Sequence, residues 1–222
     1  MNLLAIDTST ENISLSIMWK GNIVFDFNRR IRFGASRLAS YIDRYLKSLS
    51  LSLDKFDAFV IGAGPGSFTG LRISFSVIKA FSISLNKPII SIGSFISCAY
   101  PFIKSQEKIA VISDARRQLI YGAAFKLKGG IPRQEEKEKL ISPGEFMKEK
   151  SDYLFVTYDE HLRNQALGLH SKINFYPRNV YPKARYILLS AQRHYFERKF
   201  TPLEKLEPLY LHPKTCQVRN SL

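Results

Sequence analysis

Nine positions of this chain, 62 to 70, carry four of its twelve glycines in the run Gly62-Ala63-Gly64-Pro65-Gly66-Ser67-Phe68-Thr69-Gly70, with Leu71 and Arg72 following. Glycine reaches backbone angles closed to other residues and Pro65 fixes its own φ, so the run must be a tight, constrained connection. Before it, residues 57–61 form a short apolar run that reads as a buried strand. Behind it, Ser67 and Thr69 are placed to cap a helix, and backbone N–H groups with Arg72 nearby would make a corner that favours anions. Three known glycine-rich devices fail here. A phosphate-cradling P-loop ends in Gly-Lys-Ser or Gly-Lys-Thr, whereas this loop ends Gly70-Leu71-Arg72. The dinucleotide fingerprint needs a third glycine in another register, and no acidic residue closes the strand expected at 88–92. A serine-hydrolase elbow needs glycine two residues either side of the serine, and Ser67 has Pro65 there.

From the start of the chain, residues 2–7 read as a strand and 13–19 alternate with period two as a second. Gly21-Asn22 turns into a third at 23–27, and polar Asp7-Thr8-Ser9-Thr10 makes the first bend. Leu38, Ile42, Tyr45, Leu46 and Leu49 recur at helical spacing. Residues 71–85 alternate like a strand over Leu71, Ile73, Phe75 and Val77, yet the caps and the length favour a helix. That helix is apolar nearly all round, with Ile73, Val77, Ala80 and Phe81 on one side and Phe75, Ile78, Ser82 and Leu85 toward the other. It must therefore be covered twice, wholly by this chain or on one side by another protein.

A strand at 88–92 and a helix at 94–104 follow. At Ile109 the opening pattern restarts: an apolar strand ending in Asp114, polar Ala115-Arg116-Arg117-Gln118, and a second strand at 119–125. Even the trailing Lys20-Gly21 has a counterpart in Lys128-Gly129. We read this as an internal duplication, with an N-terminal lobe at 1–105 and a smaller C-terminal lobe at 106–222. In the second lobe, 135–139 reads as a charged, solvated connection, 146–150 and 184–196 as helices, and 153–157 as a strand. Residues 208–213 read as a rigid C-terminal strap, with 218–222 frayed.

At 222 residues the chain is long enough to bury about 70% of its unfolded surface. No apolar run approaches the roughly 20 residues of a membrane helix and no basic leader precedes Leu3-Leu4-Ala5-Ile6, so a cytoplasmic protein with no membrane partner is expected. Cys98 and Cys216 lie far apart and make no metal or redox pair, and Cys98 in an apolar helix reads as a core residue. A formal net charge of +14 points to a polyanionic partner, nucleic acid first; the plainer reading is that the spread-out charges are merely solvated. His161, His170, His194 and His212 never fall at the one-turn spacing that ligates zinc or iron, so no metal site is expected. Asp7 and Asp114 head the two hairpins. They either cap turns or face each other across a cleft between the lobes, where they would meet a phosphate or Mg²⁺.

Four runs occur in order along nearly the whole chain: Leu4-Ala5-Ile6-Asp7-Thr8-Ser9-Thr10, the loop from Gly64 to Ile73, Ser113-Asp114-Ala115-Arg116 with Tyr121 following, and Glu207-Pro208-Leu209-Tyr210-Leu211. Together they resemble the TsaB family, also called YeaZ. The resemblance implies a two-lobed, duplicated α/β fold of the actin, sugar kinase and Hsp70 class (ribonuclease H-like), with mixed sheets flanked by helices. It implies a non-catalytic companion of TsaD in making N6-threonylcarbamoyladenosine in tRNA, joined by the ATPase TsaE, with tRNA met through the complex. TsaD carries the metal site and transfers the threonylcarbamoyl group; TsaB-like chains lack the metal ligands. No catalytic residue, metal or cofactor of its own is then expected, and ATP with Mg²⁺ belongs to the complex.

The family's partner-binding helices map onto 34–49 and 70–85, which implies contacts through Leu38, Ile42, Tyr45, Leu71, Ile73, Val77 and Phe81, to TsaD or in a competing homodimer. Asp7, Thr8, Ser9, Thr10, Asp114 and Arg116 become a vestigial nucleotide or phosphate site. Gly64, Pro65, Gly66, Ser67, Thr69 and Gly70 become a rigid corner that sets the angle of an interface helix. This chain departs from the family at Phe33-Gly34-Ala35-Ser36, where a histidine is usual, and matches only loosely over 135–182. The competing reading is a small acyl or phosphoryl transferase using Asp7 and Asp114 around a nucleotide; nothing in the residues supports a peptidase.

Overall fold

Strand β1 (Leu3–Asp7) is buried along its whole length because both its faces are covered. Leu4 and Ile6 belong to the core on one side, Leu3 and Ala5 to the core on the other. The structure, a computed structural model, describes residues 1–30, 37–102, 104–105, 108–128, 131–169 and 173–212. β2 (Asn12–Trp19) pairs antiparallel with β1, and β3 (Asn22–Arg30) antiparallel with β2. The turn falls on Lys20 and Gly21, both at positive φ in a two-residue hairpin, one residue before the Gly21-Asn22 turn expected from the sequence, since Asn22 already pairs with Trp19 at the start of β3. β4 (Ala58–Gly62) and β5 (Ile89–Ile92) add in parallel beyond β1, giving the order β3-β2-β1-β4-β5.

Helices α1 (Leu38–Ser48) and α2 (Phe68–Leu85) cover one face of this sheet. Leu38, Ile42 and Leu46 of α1 and Leu71, Phe75 and Ile78 of α2 pack there with Leu4, Ile6, Phe59 and Ile61. The strand-like alternation at 71–77 is overridden by the caps: Ser67 accepts from the Gly70 N–H, and Asn86 closes the helix in the left-handed region. By length and composition α2 is apolar enough to cross a membrane, but its buried stripe lies on the sheet.

The second sheet repeats the first. β6 (Lys108–Asp114), β7 (Ile120–Lys128) and β8 (Ile131–Ile141) run antiparallel, and β9 (Leu154–Val156) adds parallel to β6, so β8-β7-β6-β9 reproduces β3-β2-β1-β4. This is the duplicated α/β architecture, two mixed sheets flanked by helices, that the resemblance implies. The short α3 (Ile96–Ala99) covers one face of the second sheet with Phe95, Cys98 and Phe102. α4 (Pro143–Glu149) and α5 (Glu160–Leu169) cover the other through Phe146, Met147, Leu162 and Ala166.

Helix α6 (Ala184–Phe196) forms where its sequence predicts it but crosses back to the first sheet, setting Ala184, Ile187, Leu188 and Ala191 against Leu3, Ala5, Val60 and Ile90. The division at 105/106 thus separates the sheets and not the packing. The charged stretch 135–139 is no connection; it lies inside β8, an edge strand of the second sheet. Its charges pair as Lys126–Glu135, Lys139–Glu136 and Lys150–Glu136, and an edge studded with charge resists pairing with other chains. The helix expected at 94–104 stops at Ala99 and tightens into a 3₁₀ turn at Tyr100–Phe102, because Pro101 offers no N–H. Expectations that fall on 34–36, His170, Gly129, Cys216 and 213–222 lie outside the described residues.

Candidate functional site

The two head-of-hairpin aspartates begin alike. Asp7 ends β1 and its Oδ1 accepts the Ser9 N–H at 2.9 Å; Asp114 ends β6 and its Oδ1 accepts the Arg116 N–H at 2.9 Å. Each side chain mimics a backbone turn two residues on. Their surroundings then diverge. Asp7 is 1% exposed and takes a second bond from the Ser9 hydroxyl at 2.6 Å. Asp114 lies at the surface with Arg116 3.6 Å away. Burial pushes the Asp7 carboxyl above the ordinary carboxylate range, against the hydroxyls of Ser9 and Ser94 and the Ser9 N–H, which pull it down. Among the described residues its Oδ2 has no hydrogen-bond partner, and the Ser94 oxygen beside it accepts the Gly64 N–H at 2.9 Å.

What buries Asp7 is the glycine loop. The Ser67 N–H donates to the Ser9 carbonyl at 2.7 Å, and the Thr8 hydroxyl bridges the Gly70 carbonyl and Ser74, each at 2.8 Å. Glycine is required for this approach. A Cβ on Gly62, Gly66 or Gly70 would fall inside 3.0 Å of the Asp7 carboxylate, the Ser9 carbonyl or the Thr8 carbonyl respectively. Three of the loop's donors are spent in the same way: Gly64 on Ser94, Ser67 on Ser9, and Gly70 on the Ser67 side chain. The corner that sequence alone reads as anion-friendly has turned these N–H groups inward. Thr69 is exposed on the first turn of α2 and does not cap it, and Thr10 closes the hairpin by accepting the Asn12 N–H at 3.2 Å.

The strap docks on the same corner. Leu206 is buried in the first core and the Leu209 N–H donates to the Ala63 carbonyl at 2.9 Å. Tyr210 lies 5.5 Å from Phe68, ring to ring, while Arg72 covers the Phe68 ring at 3.9 Å and donates to the Tyr210 hydroxyl. His212 reaches the second lobe, its Nε2 2.9 Å from the Ala115 carbonyl and its ring edge-on to Tyr121.

The seven residues expected at a partner surface separate into two groups. Leu38, Ile42 and Leu71 are at most 1% exposed and belong to this chain's own core, because the buried stripe of each helix faces the sheet. They are not surface residues. Tyr45, Ile73, Val77 and Phe81 are half-buried: Tyr45 lies against Phe25 and Phe27, and Phe81 against Phe59. The solvent side of α2 instead carries Arg72, Ser76 and Ile83, the last 68% exposed; sequence does not single this side out because the helix looks apolar all round.

Known proteins of similar sequence and fold identify the family. The family model of TsaD, tRNA N6-adenosine threonylcarbamoyltransferase, matches residues 32–191. Among curated relatives, the tRNA threonylcarbamoyladenosine biosynthesis protein TsaB of Escherichia coli is 28% identical, over 95% of this chain and 94% of its own. The protein of the same name from Haemophilus influenzae is 25% identical, over 95% and 93%. YeaZ from Pseudomonas aeruginosa superposes with a TM-score of 0.80 at 23% identity, covering 94% of this chain and 100% of that one. With that family model spanning most of its length and the TsaB proteins matching it nearly throughout, the chain belongs to the TsaB/YeaZ family.

Proposed function

We propose that this chain is a non-catalytic subunit in the formation of N6-threonylcarbamoyladenosine in tRNA, holding TsaD in a competent conformation, with TsaE as the third member. The observation that carries the reading is the sealed corner at Asp7. The residues that look most like chemistry in the sequence are occupied with one another: Asp7 with Ser9, Thr8 with Gly70 and Ser74, and the Gly64, Ser67 and Gly70 N–H groups with backbone and hydroxyl oxygens. A phosphate seat on this loop would draw on the Gly64, Ser67 and Gly70 N–H groups beside an accessible carboxylate, whereas those three are bonded inward and the Asp7 carboxylate is buried. ATP and Mg²⁺ therefore act, on this reading, in the assembled complex. The names of the TsaB relatives supply the pathway. The partner surface is the outer side of α2, led by Ile83, with Ile73, Val77 and Phe81 on its flank.

The test is co-purification with TsaD of the same organism, followed by tRNA modification with and without this chain. Modification that needs the chain, and survives Asp7→Asn, supports the scaffold. Stoichiometric binding of ATP and Mg²⁺ by the isolated chain in calorimetry, lost in Asp114→Asn, would sink it in favour of a nucleotide-dependent transferase.

A further inference from the structure

A cleft of about 800 Å³ opens beside the segment 174–183, its other walls formed by Asn12 of β2, Asn28 of β3, Leu154 and the turn at Pro101 and Phe102. Its walls are preformed. The segment is pinned by the Tyr176 N–H on the Phe155 carbonyl and the Val180 N–H on the Thr157 carbonyl, both at 2.9 Å. Asn28 ties the first lobe to it, donating to the Pro182 carbonyl at 3.1 Å. Aromatic rings line the cleft and are braced by ring contacts: Tyr176 edge-on against Phe102, itself in the lining, Tyr181 stacked on Tyr158, and Tyr186 stacked on Tyr100.

Among the described residues the lining holds the cations Arg178 and Lys183, four asparagines, and no aspartate or glutamate; Glu11, ion-paired with Arg30, reaches only the edge of Tyr181, accepting its hydroxyl at 3.4 Å. Both cations are exposed, and neither is ion-paired among the described residues. In a chain of net charge +14, two free cations beside aromatic faces and amide side chains match one ligand chemistry, an anionic backbone carrying flat, hydrogen-bonding rings. The volume exceeds what one base needs, and the cleft is open. We propose that it binds a single-stranded segment of RNA, with Arg178 and Lys183 on phosphates and a base against Tyr181; this rests on the tRNA role proposed above.

The test uses the full chain and a fluorescein-labelled eight-nucleotide single-stranded RNA, read by anisotropy across a salt series. Replacing both cations (Arg178→Ala with Lys183→Ala) should weaken binding on the order of tenfold and lower the salt slope by about 1.4, as loss of two phosphate contacts on a single strand requires. Tyr181→Leu should cost about fivefold or more while Tyr181→Phe retains affinity, the mark of stacking. Lys137→Ala with Lys148→Ala, on β8 and α4 and outside the cleft, is the charge-matched control and should change affinity less than twofold. Equal loss in that control, or equal affinity for duplex RNA, would overturn the proposal in favour of diffuse charge. AMP displacing the oligomer at equal affinity would overturn the strand in favour of a mononucleotide. RNA binding by the isolated chain and tRNA modification by the complex are separate readouts, so either proposal can fail alone.

Discussion

Gly70→Ala is the sharpest test of the sealed corner, because intrinsic propensity and packing pull in opposite directions. Gly70 is the third residue of α2, where alanine is favoured over glycine by up to about 1 kcal/mol. Its Cβ, however, would fall inside 3.0 Å of the Thr8 carbonyl, a backbone atom in a paired strand turn that cannot swing aside. The start of the helix would have to withdraw from the hairpin. That separates the Thr8 hydroxyl from the Gly70 carbonyl and the Ser67 N–H from the Ser9 carbonyl. Each stranded buried group costs about 1–3 kcal/mol. Less the propensity gain, the net destabilisation is about 3 kcal/mol, a fall in Tm of about 6–12 °C for a chain of this size. Gly168→Ala is the control, since a Cβ there meets nothing within 4 Å and should raise Tm by about 2–4 °C. Thermal unfolding of both variants decides it. If Gly70→Ala raises Tm as Gly168→Ala does, the close approach of loop to hairpin is wrong.

The Asp7→Asn variant tests the buried carboxyl through pH. A raised folded pKa means the native state holds the proton more tightly than the unfolded chain. Its stabilising contribution is then present below the unfolded value, 3.8, and is lost as pH rises toward the folded one. Asparagine keeps the acceptor for Ser9 and has no such dependence, so its stability relative to wild type should improve from pH 4 to pH 7 in denaturant titrations; a flat difference would contradict the desolvation. Ile83→Asp changes an exposed side chain and should leave Tm within about 1–2 °C while abolishing co-elution with TsaD. Undisturbed co-elution would remove the outer side of α2 from the interface. Tyr210→Ala deletes the ring on Phe68 and the Arg72 bond, and should cost about 1–2 kcal/mol, read as a Tm fall of about 2–8 °C.

Local pattern carried much of the fold. The opening strands, the Ser67 cap, and helix α6 at its very boundaries follow from alternation, capping and helical spacing, all properties of neighbours in sequence. What escaped depends on which distant segment arrives. Asp7 is buried by hydrogen bonds that join its hairpin to residues more than fifty positions away, so composition around Asp7 and Asp114 could not tell a sealed carboxylate from an open one. Leu38, Ile42 and Leu71 lie on the helices that the family resemblance assigns to a partner, and only the sheet those helices cover shows that this chain's own core takes them. β8 reads as a loop because an edge strand in this position keeps charges on its solvent side. α5 left one unread signal, Asp159, whose Oδ1 accepts the Leu162 N–H at 3.0 Å as an N-cap.

The divergence of the two lobes traces to the residues just beyond each inner parallel strand. After β4 come four glycines within nine residues, so the backbone can lie directly on the Asp7 hairpin. After β9 comes Thr157-Tyr158-Asp159, with no glycine, and α5 begins at once. The same aspartate turn is therefore sealed in one lobe and open in the other. Sealing left Asp7 in place because its Oδ1 still organises the Ser9 turn on which Ser67 docks. The corner so formed fixes the first turn of α2 at both ends of the contact, through Ser67 on Ser9 and Gly70 on Thr8, and the strap clamps it from outside through Tyr210. A helix anchored this firmly at its start presents Ile83, about four turns on, at a defined angle, which is what a scaffold surface requires and a flexible phosphate loop would not supply.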